Sequence, residues 1–341
     1  MENKKYRMIG KFVAISFFSV FSSTAFAKLI YPNQGGFIVN VNSRSWFVAN
    51  NGTTTLTNIK NSSFFSGYAC ENKTIFYNPT PGYFLSSNNN ILWSKIKPKI
   101  TDKNYIDADP MNMFNGTTGS VFCKNRVVYV YNTLYKNKYC YSSDSLNTFN
   151  CKRFVPTRLP LKASMTVARS SKVLEVGGKI IRIYSINQST PSGNMSRYAI
   201  SYGSSVANMI DFRFLPKGYE TNLYDPLILG KNILLYKYHD KSLGLALVNL
   251  KNFTGKSYII NNDNAINGYD MGLARVEGNK NHFIIINNLD SILFDNGHFS
   301  EIKETVNHIS YNGKKFLGLK DRSNGFSIVM SNNGTNWIPV K

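Results

Sequence analysis

A short unit recurs along this chain: a polar turn followed by a run of apolar, β-branched and aromatic residues. Its clearest copies are Lys124-Asn125 before Val127–Tyr131, Gly177-Gly178 before Ile180–Tyr184 and Gly230-Lys231 before Ile233–Tyr236. Gly278-Asn279 before Phe283–Ile286 and Asn312-Gly313 before Phe316–Leu319 continue the series. These runs start 53, 53, 50 and 33 residues apart, and earlier units begin near Phe37 and Thr74, which makes seven. No stretch of 11 or more residues holds a 3.6-residue apolar period, so little helix is expected. Repeats of this length, each of about four strands, specify a radial array in which every sheet buries its faces against its neighbours. The expectation is an all-β fold, a single β-propeller domain over residues 28–341. Seven blades suit the length, with six blades and longer insertions as the other count. A pair of β-sandwiches or a β-helix are the competing architectures.

Residues 1–27 read as a Sec-type signal peptide. Lys4, Lys5, Arg7 and Lys11 form a basic start, Phe12–Phe21 an apolar core, and Ala25-Phe26-Ala27 a small-x-small cleavage site. Cleavage after Ala27 predicts a secreted or periplasmic protein with no transmembrane segment in the remainder. Four Lys/Arg and one Glu leave with the leader, so 36 Lys/Arg face 18 Asp/Glu in the mature chain. Such a surface concentrates polyanions, and a composition that favours Lys and Asn is the plain alternative. Eight Asn-x-Ser/Thr triplets (at 51, 61, 72, 115, 187, 194, 252 and 333) fit that bias, and mean glycosylation only in a eukaryotic secretory route.

Four cysteines in an exported chain suggest two disulfides. Cys140 and Cys151 flank one hairpin, where paired antiparallel strands satisfy the short Cα separation of a disulfide. Cys70 and Cys123 begin consecutive units and pair by elimination. There is no Cys-x-x-Cys, no His-rich tract and no histidine pair among His239, His282, His298 and His308. No metal site and no cofactor are therefore expected. Phosphate-binding Gly loops and a Gly-x-Ser-x-Gly elbow are also missing.

Three turns share a phrase: Ser86-Ser-Asn88-Asn-Asn90-Ile-Leu-Trp93, Ser142-Ser-Asp144-Ser-Leu146-Asn-Thr148-Phe149, and Met330-Ser-Asn332-Asn-Gly334-Thr-Asn-Trp337. Fainter echoes lie at Asn50-Asn-Gly52 and Asp295-Asn-Gly297. These phrases resemble the Asp-box, or bacterial-neuraminidase repeat, written S-x-D-x-G-x-T-W. Ser142, Asp144 and Thr148 match it, with Leu146 for Gly and Phe149 for Trp. Ser86 and Trp93 match in the first copy, with Asn88 for Asp and Asn90 for Gly. Gly334 and Trp337 match in the last, with Met330, Asn332 and Asn336 departing. In that family the box is a folding device between the third and fourth strands of a blade, so the resemblance implies a propeller. Sialidase chemistry would need an arginine triad on the substrate carboxylate, a Tyr/Glu pair and an acid–base Asp. The nearest arginine phrases, Phe212-Arg213-Phe-Leu-Pro216 and Arg153-Phe-Val-Pro156, fall after the earliest boxes.

Lys95, Lys97 and Lys99 alternate along Trp93–Ile100, and in one strand would share a face. The corresponding place one unit on carries Lys152, Arg153 and Arg158, with Lys136 and Lys138 on the strand before. Together they form a candidate ligand-binding surface for a polyanion; an edge strand kept charged against edge-to-edge pairing is the structural reading. Asp102, Asp107 and Asp109 lie in a polar loop without EF-hand spacing. The leading expectation is a non-catalytic binding module that engages an anionic glycan, a cell surface or a protein partner, with host contact as a setting and no specific nucleic acid. The alternative is a sialidase-like glycoside hydrolase with its active site in the central depression. Sequence is silent on catalytic residues and oligomeric state.

Overall fold

The computed structural model describes residues 30–340 apart from 34, 42–43, 61–65, 71, 79–82, 102–118, 133–137, 154–158, 222–225, 240–241, 262–274, 287–290, 303–305 and 323–324. The leader reading lies outside these residues. The described chain is all β, and no helix in it is long and apolar enough to cross a membrane. Seven sheets follow one another as blades 1 to 7, over 30–60, 66–96, 119–153, 165–214, 228–261, 275–301 and 307–339. Within each blade, four consecutive strands pair antiparallel in chain order.

The seven recurring apolar runs are the second strands of the seven blades, from Gly36–Val41 through Phe316–Arg322. They read as unbroken apolar runs because both faces are buried, each against a different neighbour. Successive side chains of a strand point to opposite faces. Phe37 and Val39 pack on Leu317 and Leu319 of blade 7, whereas Ile38 packs on Phe76 and Trp93 of blade 2. Likewise Ile284 joins Phe316 and Trp337 of blade 7, and Phe283 and Ile285 join Leu234 and Leu245 of blade 5. Each fully buried side chain of this kind contributes roughly 1.5–3 kcal/mol.

All seven junctions hold such a cluster, the junction of blade 7 with blade 1 included. The first strands of blades 1 and 7 also approach each other, so the sheets close into a seven-bladed propeller with the first strands innermost. Each blade is made of consecutive strands, and blades 1 and 7 exchange none.

Asparagine clasps the turns after three of the inner strands. The side-chain oxygen of Asn33 accepts Gly35 N–H at 2.8 Å, that of Asn279 accepts His282 N–H at 3.0 Å, and that of Asn312 accepts Lys315 N–H at 3.0 Å. Each then turns its NH2 to the next blade: Asn33 to Thr74 Oγ1 at 2.9 Å, Asn279 to Tyr311 OH at 2.9 Å, Asn312 to Asn50 Oδ1 at 2.7 Å. A side chain that carries both an acceptor and two donors suits this double duty.

Both disulfides form as expected. Cys140–Cys151 joins directly paired residues of the third and fourth strands of blade 3. Cys70–Cys123 ties the inner strands of blades 2 and 3. All four sulfurs sit in the one apolar layer between those blades.

Candidate functional site

The lysine-bearing segment does not run as one strand. Ser94–Ile96 is the outer strand of blade 2, pairing Lys95 with Leu85. Pro98 has no N–H to donate, and beyond it Lys99–Ile100 leaves that sheet and adds in parallel to the outer strand of blade 3, opposite Thr148 and Phe149. Lys99 N–H reaches Asn147 O at 2.8 Å, and Thr101 Oγ1 reaches Asn150 Oδ1 at 2.9 Å. The expectation of a single strand is thus corrected to a strap that crosses from one blade to the next. Alternation survives the crossing: Ile96 and Ile100 pack on the interblade core while Lys95, Lys97 and Lys99 stay exposed.

Lys152 is exposed on the outer strand of blade 3, in Thr148–Arg153. Its ammonium lies 5.4 Å from the Tyr141 ring, and that of Lys95 lies 4.1 Å from the Tyr83 ring, distances at which a cation is held by an aromatic face. Arg153 belongs to the same strand, with its backbone opposite Lys138. The side chain of Arg153, all of Arg158 and Lys136, and the loop aspartates Asp102, Asp107 and Asp109 lie outside the described residues. Four of the six predicted basic residues therefore sit on one stretch of rim, and residues 93–101 contain no Asp or Glu.

The three shared phrases are the turns between third and fourth strands in blades 2, 3 and 7, and each final aromatic enters an interblade layer. In blade 3, Ser142 Oγ and Thr148 both bond the Asp144 carboxylate, and Leu146 N–H reaches Ser142 Oγ at 3.1 Å. The Thr148 hydroxyl and N–H hold the Asp144 carboxyl below its ordinary range. In the other two copies the working residues stand one place later than the shared phrase implies. Ser87 Oγ accepts Asn90 N–H at 2.9 Å, and Asn89 Oδ1 accepts Leu92 N–H at 2.9 Å. Ser331 Oγ accepts Gly334 N–H at 2.9 Å, and Asn333 Oδ1 accepts Thr335 N–H at 3.1 Å. These turns are one residue shorter than that of blade 3, so Ser86, Asn88, Met330 and Asn332 are not the equivalents of Ser142 and Asp144. Residues at positive φ mark the crest of each: Asn90 at 63°, Leu146 at 78° and Gly334 at 83°.

Three of the Asn-x-Ser/Thr triplets are turn chemistry of the same kind. The side-chain oxygens of Asn51, Asn252 and Asn333 each accept an amide two residues on, and Thr53 and Thr254 add their hydroxyls.

The arginines that most resembled a sialidase phrase are on the fourth strands of their blades, Arg213 in Asp211–Phe214 and Arg153 in Thr148–Arg153, away from the central axis. His282 Nδ1 is 3.0 Å from Asp295 Oδ1, its cross-strand partner. A buried cation that sequence did not single out, Arg182, lies between blades 3 and 4. Its Nη2 donates to Ser170 Oγ at 2.7 Å, and the guanidinium is 5.3 Å from the Tyr131 and Tyr184 rings. Also missed was a concavity of about 340 Å³ between blades 1 and 2 that brings Asn33, Thr74 and Asn90 together. Nothing in a linear pattern links Asn33 to Thr74; the register of two blades does.

No protein-family model matches the chain, and no curated protein matches it. Among solved structures it is similar to the β-propeller domain of the Trilobed protease from Pyrococcus furiosus, at 12% identity over 93% of this chain and 97% of that one, with a TM-score of 0.44. A Bacteroides fragilis protein described as exported is 13% identical over 78% and 82%, with a TM-score of 0.42. Bacillus subtilis arabinanase Arb43A is 11% identical over 63% and 93%, with a TM-score of 0.31. The propeller assignment rests on this chain's own sheets and their closure.

Proposed function

We propose that this protein is an exported, non-catalytic propeller that binds an anionic glycan or a similar surface polyanion along the outer rim of blades 2 and 3. The observation that carries this reading is the strap of Lys95, Lys97 and Lys99, exposed beside Lys152 with no acidic residue in residues 93–101. Exposed ammonium groups in a row attract a chain of negative charges by Coulomb forces that salt screens within about 8–10 Å. Two disulfides support an oxidising compartment, and residues 1–27 support export by cleavage after Ala27. We read the serine and amide turns of blades 2, 3 and 7 as degenerate Asp-boxes, which are folding devices and bring no catalytic role.

Retention on immobilised heparin tests the reading. The wild-type protein is retained at low salt and elutes at moderate salt. A variant with Lys95, Lys97, Lys99 and Lys152 all changed to Gln elutes earlier. Wild-type protein that flows through at low salt, or a variant that elutes with it, removes the rim from consideration.

A further inference from the structure

Four asparagines, Asn33, Asn72, Asn88 and Asn90, line the concavity between blades 1 and 2, with Thr74, Lys73, Gly35 and Ala69 completing it. Its back wall is a closed ring of hydrogen bonds across the two blades. Asn33 Nδ2 donates to Thr74 Oγ1 at 2.9 Å, Thr74 Oγ1 donates to Asn90 Oδ1 at 2.7 Å, and Asn90 Nδ2 returns to Asn33 Oδ1 at 3.4 Å. Asn33 and Thr74 are each 6% exposed, so the wall is fixed before any ligand arrives. In front of it stand exposed Asn72 and Asn88 and half-buried Lys73. The Lys73 ammonium is 3.4 Å from Ser145 Oγ at the tip of the blade 3 turn, which holds the cation beside the opening.

From these features we infer that the pocket between blades 1 and 2 is a subsite for one acidic sugar residue, with its carboxylate or sulfate on Lys73 and its hydroxyls on Asn72 and Asn88. The inference rests on the anionic-glycan reading of the rim. A volume of about 340 Å³ lies at the small end of ligand sites and suits a single ring. Among the described residues no aromatic side chain lines the pocket, so they offer no face on which a base or an apolar ring would stack. Amides supply donors and acceptors together, as a polyhydroxyl ligand requires, and one cation selects an acidic member of that class. The pocket wall and the lysine strap are close in the chain. Asn90 precedes Lys95 by five residues, which an extended chain spans in at most about 18 Å. A short oligosaccharide lying on the lysine strap therefore has the length to place one residue in the pocket.

A uronate-containing heparin disaccharide, too short to follow the whole rim, separates the two sites. Saturation-transfer NMR and calorimetry on wild-type protein should show binding, with a neutral disaccharide giving none. Lys73→Met and, independently, Asn88→Asp should each weaken the acidic disaccharide at least tenfold. Asn88 is exposed, so its variant keeps the fold even where a change at Lys73 disturbs packing, and thermal unfolding of both variants checks this. Equal binding by wild type and both variants overturns the subsite. So does a wild-type protein that retains long heparin but gives no disaccharide signal; in that case the rim reading survives. Failure to bind either ligand removes both.

Discussion

At the residue scale, two ionisable groups report on the turns and on the core. Asp144 is nearly fully exposed, and its carboxyl is lowered first by the Thr148 hydroxyl, then by the Thr148 N–H, with Ser142 adding to them. A folded value below the ordinary 3.8 means that this turn's contribution is present above that pH and lost as pH falls through the lower folded value. Changing Thr148 to Val removes the leading donor. The Asp144 titration, followed by carboxyl NMR shifts, should then move up toward the ordinary range, and an unmoved midpoint would reject the assignment. Tyr131 is the opposite case. Burial pushes its phenol up from 10.0 to about 12, while Arg182 pulls it down. With the folded value above the unfolded one, the stabilisation is intact below pH 10 and disappears as pH rises through about 12. Arg182→Met should raise the tyrosinate midpoint of Tyr131 further, read by ultraviolet titration against a Tyr131→Phe control. A lowered or unchanged midpoint would show that the cation does not act on this phenol.

At the element scale, the two disulfides close loops of different length, with sequence separations of 53 for Cys70–Cys123 and 11 for Cys140–Cys151. Chain entropy gives about 4 kcal/mol for the longer loop and about 3 kcal/mol for the shorter. The four cysteines share one apolar layer, in which Cys140 and Cys151 are buried and Cys123 only partly so, and a costlier loss of Cys70–Cys123 when each pair is changed to Ser would come from loop length and not from packing. Denaturant unfolding of the two double variants should therefore rank the Cys70/Cys123 pair as the costlier loss, and the reverse order would reject loop length as the cause. Both bonds are legible in sequence, because one pair flanks a hairpin and the other opens consecutive units. So are the second strands, whose unbroken apolar character comes from burial on two faces. The strap is not: residues 93–100 alternate as one strand would, and only Pro98 marks where the chain changes sheets. The turns are legible in place but not in register for blades 2 and 7, because Ser86-Ser87 and Asn88-Asn89-Asn90 offer the same letters one residue apart. The amide pocket is invisible in sequence because its wall joins three separate turns or strands.

At the scale of the whole molecule, the junctions are not equal. Blades 2 and 3 are held by a disulfide, by the Lys99–Ile100 strap, and by the Lys73–Ser145 contact, on top of their apolar layer. Blades 7 and 1 meet through an apolar layer and the Asn312 side chain, whose NH2 donates to Gly36 O at 3.2 Å and to Asn50 Oδ1 at 2.7 Å. No strand crosses that seam and no covalent bond spans it among the described residues. Local opening follows the weaker set of contacts, so the ring should part between its two ends before it parts between blades 2 and 3. Native-state hydrogen exchange resolves this by strand. Amides of Gly36–Val41 and Phe316–Arg322 should exchange before those of Lys73–Asn78 and Val127–Asn132. Asn312→Ala leaves Gly36 O without that donor, at a cost of roughly 1–3 kcal/mol. The loss of protection should be confined to blades 7 and 1, since a contact at an already separable junction does not hold the far side of the ring. Uniform loss around all seven blades would mean that the propeller opens as one cooperative unit and that the seam is no weaker than the cross-linked junction of blades 2 and 3.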